Sequence, residues 1–272
     1  MLVAGSLAMP ERTAAAELKP EAIRGFDPSV QLTEQRRQTG LRPGAAFLWV
    51  DGLLEAHRNG VYEQQHRSEV ASGRLKTRDP AYELRTAGAL IHDWVGTVFI
   101  PGASLRQVLV LLENDDHHAA YFAPERANPK TLEHTGNDFK VYLRLTRNKI
   151  VTVVLDTKSE VHYEQLDAAR VQSRCYSARI TEVEPAGDPR EVQRKPGGDH
   201  GFLSSLNSYW RSLETGRGVY VPSEAVWLTR DIPTGLGWLI APFIDSIPKE
   251  SLEFTLGSTR AAVLGEISNA SK

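Results

Sequence analysis

Cysteine is nearly absent, with Cys175 the single thiol in 272 residues. One thiol can neither close an intrachain disulfide nor supply a thiolate zinc cluster, so neither holds this chain together. Nothing near it is built to lower its pKa, and its place in a strand-like run reads as a buried, inert side chain. Long apolar runs are also missing. None approaches the roughly 20 residues of a membrane-crossing helix, which excludes an integral helical span. Nor is there an excess of one charge: 32 basic residues face 34 acidic ones, for a net charge of -2. Nucleic-acid binders cluster surplus Lys and Arg on one face. Here pairs such as Arg36-Arg37 are scattered and read as solvated surface.

Sequence motifs of catalysis and cofactor binding are lacking too. There is no Gly-x-Ser-x-Gly elbow, P-loop, His-Glu-x-x-His or Cys-x-x-Cys. Gly235 and Gly237 begin like a dinucleotide fingerprint, but Ile240 stands where the third glycine belongs, so close packing is the reading. Asp115-Asp116-His117-His118 is the densest set of ligand-type side chains. Adjacent residues on one segment point in different directions, so a solvated helix end is expected rather than a metal site. His162 and His200 could meet only through sheet pairing, which the sequence does not reveal. No catalytic residue, metal or cofactor is assigned.

What is present is ordinary globular composition, 41% hydrophobic and 24% charged, in a chain long enough for one large domain plus a smaller region. Residues 1–16 resemble part of an export signal: Met1 to Ala8 is short and apolar, and Ala14-Ala15-Ala16 offers small residues of the cleavage-site kind. A basic n-region and a longer apolar stretch are missing. The two readings are an ordinary terminus or a truncated signal segment; the compartment is cytoplasmic on the first and periplasmic or secreted on the second.

Residues 17–89 are irregular and are expected to form an N-terminal extension packed on the main domain. Ile23, Phe26 and Val30 recur at helical spacing, although Pro28 argues for a break nearby. Phe47 to Val50 is an apolar patch before the Asp51-Gly52 turn, and Ser68 to Arg78 is a candidate strand.

From Leu90 the pattern sharpens. Leu90 to Ile100 has strand composition and stops at Pro101-Gly102. Ser104 is placed to cap a helix whose apolar face is Leu105, Val108, Leu109, Leu111 and Leu112. A short helical turn is expected around His118 to Phe122. Six strands follow: Lys130–Thr135, Asp138–Thr146, Ile150–Tyr163, Arg170–Val183, Phe202–Glu214 and Val219–Leu228. Gly136-Asn137, Arg147-Asn148-Lys149 and Thr215-Gly216-Arg217-Gly218 supply tight turns. A polar loop from Pro185 to Gly201 is expected to be solvated and mobile. Thr234 is placed to cap a long terminal helix interrupted by Pro242 and Pro248, the latter expected in the first turn of a second stretch.

This order gives an α+β fold, with helices on one face of an antiparallel sheet of about seven strands. It resembles the START-like, helix-grip superfamily of lipid-transfer domains and polyketide cyclases, in particular an uncharacterised bacterial subgroup. The resemblance runs over about two-thirds of the chain, assigned as a domain over residues 90–265. It is carried by Asp199-His200-Gly201-Phe202, Asn207-Ser208-Tyr209-Trp210, Leu228 to Pro233, Gly235 to Phe243 and Ser246 to Leu256. It implies a curved sheet around the long C-terminal helix, an apolar cavity between them and, in many members, an export signal.

The expected partner is a hydrophobic small molecule such as a lipid, isoprenoid or polyketide-like compound, with transient contact to a membrane surface left open and no nucleic acid. The alternative is a cyclase or aromatase acting on a ligand in the same cavity. Candidate cavity-lining residues are Trp210, Trp227, Trp238, Phe243, Ile240 and Leu206, with Arg179 and Glu224 as polar groups. Strand parity puts Trp210 with Leu206 and Ser208, opposite Asn207, Tyr209 and Arg211. Asp156, Ser177 and Arg230 are further polar residues of the strands, most of which such an alternation leaves in solvent.

Overall fold

The computed structural model describes residues 20–67, 70–74, 85–86, 89–114, 118–122, 126–148, 152–186, 188–195, 199–230 and 237–270. Side chains of residues 20–23, 66, 71–74, 85–86, 118–119, 126–128, 237–246 and 270 are outside that description, as are Asp115, Asp116, His117 and Thr234 altogether.

The framework is one antiparallel sheet. β1 (Ala71–Arg74) and β2 (Arg85–Thr86) are short and both pair with the long β3 (Ala89–Pro101). After β3 come α3 (Leu105–Glu113) and α4 (His118–Phe122). Next are β4 (Arg126–Thr135), β5 (Asp138–Asn148), β6 (Thr152–Gln165), β7 (Arg170–Glu184), β8 (Val192–Gln193), β9 (Ser205–Thr215) and β10 (Gly218–Arg230). The spatial order is β1-β3-β10-β9-β7-β6-β5-β4, so the meander expected from the turns closes with its last strand beside β3. Inside the expected polar loop, β8 pairs with β7.

Turn chemistry explains the hairpins. Gly136 at φ 60° turns β4 into β5, and Gly218 at φ 142° opens β10 where an added Cβ would meet the Ile100 carbonyl oxygen. Ser104 forms the expected cap: its side chain accepts from the Gln107 N–H, and Gln107 Oε1 accepts from the Ser104 N–H at 2.8 Å.

The terminal helix α5 (Gly237–Ala270) is 34 residues long, about 51 Å at 1.5 Å per residue. It passes through Pro242 and Pro248 without ending, so Pro248 is interior rather than the start of a second helix. An interior proline costs about 3 kcal/mol. Burial of Pro248, Leu252 and Leu256 offsets that cost.

The sheet curls around α5, and two contacts demonstrate it. Leu252 and Leu256 lie against Gly96 of β3, while Arg147 of β5 donates to the Ser251 hydroxyl. β3 and β5 are five strand spacings apart, about 24 Å if flat, so only a curled sheet brings both to one turn of helix. This is the helix-grip arrangement.

Helices cover both faces of the sheet, not one. On the inner face, α5 and α3 bury Val98, Ile100, Val219 and Val221. On the outer face lie α1 (Pro20–Thr39), which runs through Pro28, a 3-10 helix (Trp49–Gly52) and α2 (Glu55–His66). Phe26 and Val30 of α1 pack with Tyr209, Val226 and Leu228, and Phe47, Leu48 and Val50 pack with Phe99 and Tyr220. α2 rests on that cluster through Val61 and Tyr62, and its Gln65, buried, donates to Thr97 Oγ1 at 2.7 Å.

Candidate functional site

The inner face changes character along its length. At one end it is aliphatic, with Ile100 and Val219 followed by Val98 and Val221, closed by Leu252, Leu256, Ala262 and Val263 of α5. Three rows further along β3, β10 and β9 carry large indoles among small side chains. Gly96 lies opposite Ser223, which pairs with Trp210; Trp94 lies opposite Ala225, which pairs with Ser208; His92 lies opposite Trp227, which pairs with Leu206. Each row thus holds one tryptophan, and each tryptophan stands on a different strand.

Strand periodicity produces this set. Successive side chains alternate faces, so Trp94 and His92 share a face with Val98, and Trp227 shares one with Val219 and Val221. Trp94 and Trp210 pack against the aliphatic core, while Ser223 and Ala225 beside them are buried. The Nε1 atoms of Trp94 and Trp227 are both shielded from solvent and have no hydrogen-bond partner. His92 is buried, with Nε2 3.2 Å from Thr229 Oγ1. Further round the curl, Arg147 is half-buried on this face, and burial pushes its guanidinium down to about 10.

The outer face holds a separate polar network beneath α1. Arg36 donates to Glu224 and lies 3.6 Å from Asp93. Burial, then the neighbouring Glu224 carboxylate, drives the Asp93 carboxyl well above its ordinary range, against the pull of Arg36. Arg37 donates to the Trp210 carbonyl at 3.0 Å and stacks over the Tyr209 ring at 5.0 Å. Tyr176 and Tyr209 both donate to Glu34. Arg211 donates to the carbonyls of Phe47 at 2.6 Å and Arg37 at 2.5 Å, and burial pushes it down to about 10.

A third cluster lies on the inner face near the end of β7. His200 Nδ1 is 2.6 Å from Glu182 and 3.1 Å from Glu184, and the three side chains could share a metal ion. Arg194 pairs with Glu184, and the His200 N–H donates to Glu182 at 2.8 Å. Each carboxylate already has a partner within the cluster, Arg194 on Glu184 and the His200 backbone and ring nitrogens on Glu182, so nothing in the donor set requires a metal. His162 pairs instead with Asp138 at 2.7 Å, so the two histidines serve different carboxylates.

The sequence-derived candidates therefore divide. Trp210, Trp227 and Leu206 share the inner face, with Trp210 opposite in direction to Tyr209 as parity predicts. Glu224 does not join them: its even position on β10 turns it to the outer face, where it is buried against Arg36. Arg179 is exposed, its Nε donating to Thr181 at 3.1 Å, so it lines no interior either. A bulge between Lys158 and Ser159 shifts the register there, and that irregularity has no sequence signature. The side chains of Trp238, Ile240 and Phe243 lie outside the described residues.

Among the other strand polar groups, Asp156 is buried rather than solvated. Burial raises its carboxyl, but hydrogen bonds from Arg144, Tyr142 and Gln193 outweigh this and hold it low. Ser177 accepts from the Leu206 N–H at 2.9 Å, and Arg230 pairs with Asp199 at 2.6 Å. Trp94 and His92 are the residues the sequence did not nominate. They join the set only through pairing of β3 with β10, elements more than a hundred residues apart in the chain.

No family model matches the chain, and no curated protein matches it. Among solved structures it is similar to a STAR-related lipid transfer protein from Xanthomonas axonopodis, with 17% identity over 71% of this chain and 98% of that one, TM-score 0.46. It is also similar to the Zhui aromatase/cyclase from Streptomyces sp. R1128, with 11% identity over 65% and 96%, TM-score 0.44. A START superfamily protein from Mycobacterium smegmatis aligns at 10% identity over 66% and 99%, TM-score 0.41. The sheet order, the curl and the terminal helix described above are those of a helix-grip fold.

Proposed function

We propose that this protein binds a hydrophobic small molecule between the inner face of its sheet and the first half of α5, as a carrier or sensor. The observation that carries the reading is the change along the inner face. Aliphatic side chains interdigitate with α5 at one end, whereas Trp94, Trp210 and Trp227 at the other alternate with Gly96, Ser208, Ser223 and Ala225. Large rings separated by small side chains give a surface with recesses, and apolar recesses with a few polar atoms are the usual form of a small-molecule site. The indoles contribute apolar area on rigid side chains with only two rotatable bonds, so little conformational entropy opposes binding.

Chemistry on the bound molecule would need an acid or base at the same place. Among the described residues, the carboxyl most displaced from its ordinary range, Asp93, lies on the outer face beneath α1, which favours binding over turnover. Native mass spectrometry of freshly purified protein, followed by solvent extraction, tests the reading. A lipophilic mass that leaves with the extract is expected. A clean apo mass, together with no uptake of apolar probes by the refolded protein, would reject it.

A further inference from the structure

The two unpartnered indole N–H groups narrow the class of ligand. Trp94 and Trp227 stand on neighbouring strands and the same face, two residues out of register: Trp94 lies opposite Ala225, and Trp227 opposite His92. Diagonal neighbours across such a pair are about 7–8 Å apart, within reach of aromatic side chains. Both nitrogens are shielded from water and neither finds an acceptor. Indole nitrogen is a donor only, and leaving a buried donor unsatisfied costs about 1–3 kcal/mol. Two such unpartnered donors on adjacent strands mark a place for an acceptor from outside the chain.

The surroundings fix the charge of that acceptor. The three rows contain no Lys, Arg, Asp or Glu on the inner face, and the described inner-face cations, Arg147 on β5 and Arg194 paired with Glu184 near the end of β7, stand off these strands. A carboxylate or phosphate placed here would be desolvated without a counter-charge, at a cost of several kcal/mol. A neutral oxygen pays no such penalty.

Resting on the reading given above, we infer that Trp94 and Trp227 donate hydrogen bonds to a neutral carbonyl oxygen, such as that of a ketone, quinone or ester, on an otherwise apolar ligand. Two donors match the two lone pairs of one carbonyl, and the third tryptophan, Trp210, supplies apolar surface beside them.

The test uses the full chain and two uncharged probes of similar shape: the aromatic ketone 6-propionyl-2-(dimethylamino)naphthalene and its analogue with propyl in place of propionyl. The ketone is expected to bind more tightly. Trp94→Phe and Trp227→Phe, which keep an aromatic ring and remove the N–H, should each weaken ketone binding about three- to tenfold and leave binding of the propyl analogue unchanged. In parallel, the ketone but not the propyl analogue should move the Trp94 and Trp227 indole N–H resonances downfield. Equal affinity for the two probes, or equal loss of both in the variants, would overturn the carbonyl assignment while leaving hydrophobic binding intact. Binding of neither probe to the unaltered protein would overturn both readings.

Discussion

Arg36 of α1 donates to Glu224 of β10 on the face of the sheet that α5 does not cover, and Asp93 lies beside the pair. Burial and the adjacent Glu224 carboxylate raise the folded value of Asp93 well above the ordinary one, against the pull of Arg36, so folding favours the protonated acid. The unfolded chain releases that proton near pH 4, whereas the folded chain keeps it. This group's contribution to stability is therefore complete below about pH 4 and is lost as pH climbs towards the folded value. Asp93→Asn needs no proton. Urea denaturation at several pH values should show the variant gaining on the parent as pH rises, by about 1–3 kcal/mol at neutrality. A difference that does not change with pH would mean that Asp93 titrates like a solvated carboxylate.

The same face holds a cation with no carboxylate of its own. Arg211 is buried, and its forked guanidinium is occupied by two backbone carbonyls, those of Phe47 and Arg37, with the Phe47 ring 4.8 Å away. A lysine ammonium cannot reach both carbonyls while lying flat on a ring. Arg211→Lys is expected to lose about 2 kcal/mol of stability. Amide hydrogen exchange should quicken over residues 40–53, the stretch that Arg211 ties to the sheet, more than over β5 and β6.

These outer-face interactions show where the sequence could be read and where it could not. Strands β5, β6, β7, β9 and β10, the capped helix α3 and the terminal helix were legible because turn glycines, alternation and a capping serine are local signals. The N-terminal helices were not. Their attachment uses Arg36, Arg37, Gln65 and Arg211, side chains that resemble solvated surface until the chain folds over them. Glu224 was misplaced although alternation already separates it from Trp227: three residues apart on β10, the two cannot line one cavity. Trp210 could be set apart from Tyr209 because they are neighbours on one strand. Trp94 could be joined to Trp227 only by a pairing between distant strands.

At Gly96 the side chains of α5 pack directly on the backbone of β3. A Cβ added there would stand 2.7 Å from a Leu256 methyl carbon and 3.2 Å from one of Leu252. Both obstacles are side-chain ends that can shift, so Gly96→Ala should still fold. Overpacking of this order costs about 1–3 kcal/mol. The strain falls in the row of Trp210 and one row from Trp94, so the variant should also alter tryptophan fluorescence and weaken uptake of an apolar probe. Unchanged stability with unchanged emission would show that α5 does not press on β3 at this row.

Arg147 holds the opposite side of the grip. It reaches from β5 to Ser251 on α5, one residue before Leu252, which packs on Gly96 from the other direction. Burial lowers its pKa to about 10, with only partial support from the charge of Glu250, so removing the cation relieves desolvation as well as breaking the bond. Replacement by a flexible apolar side chain of similar length separates the two effects. Arg147→Met should change global stability by no more than about 1 kcal/mol, since lost hydrogen bonding and regained desolvation energy nearly cancel. Its effect should instead be local, with faster hydrogen exchange in β4, β5 and β6, the strands that only the curl brings to the helix, and no change in β3. Equal acceleration across the whole sheet would mean that the curl is maintained by strand twist alone, with Arg147 an incidental contact rather than the residue that closes the sheet onto α5.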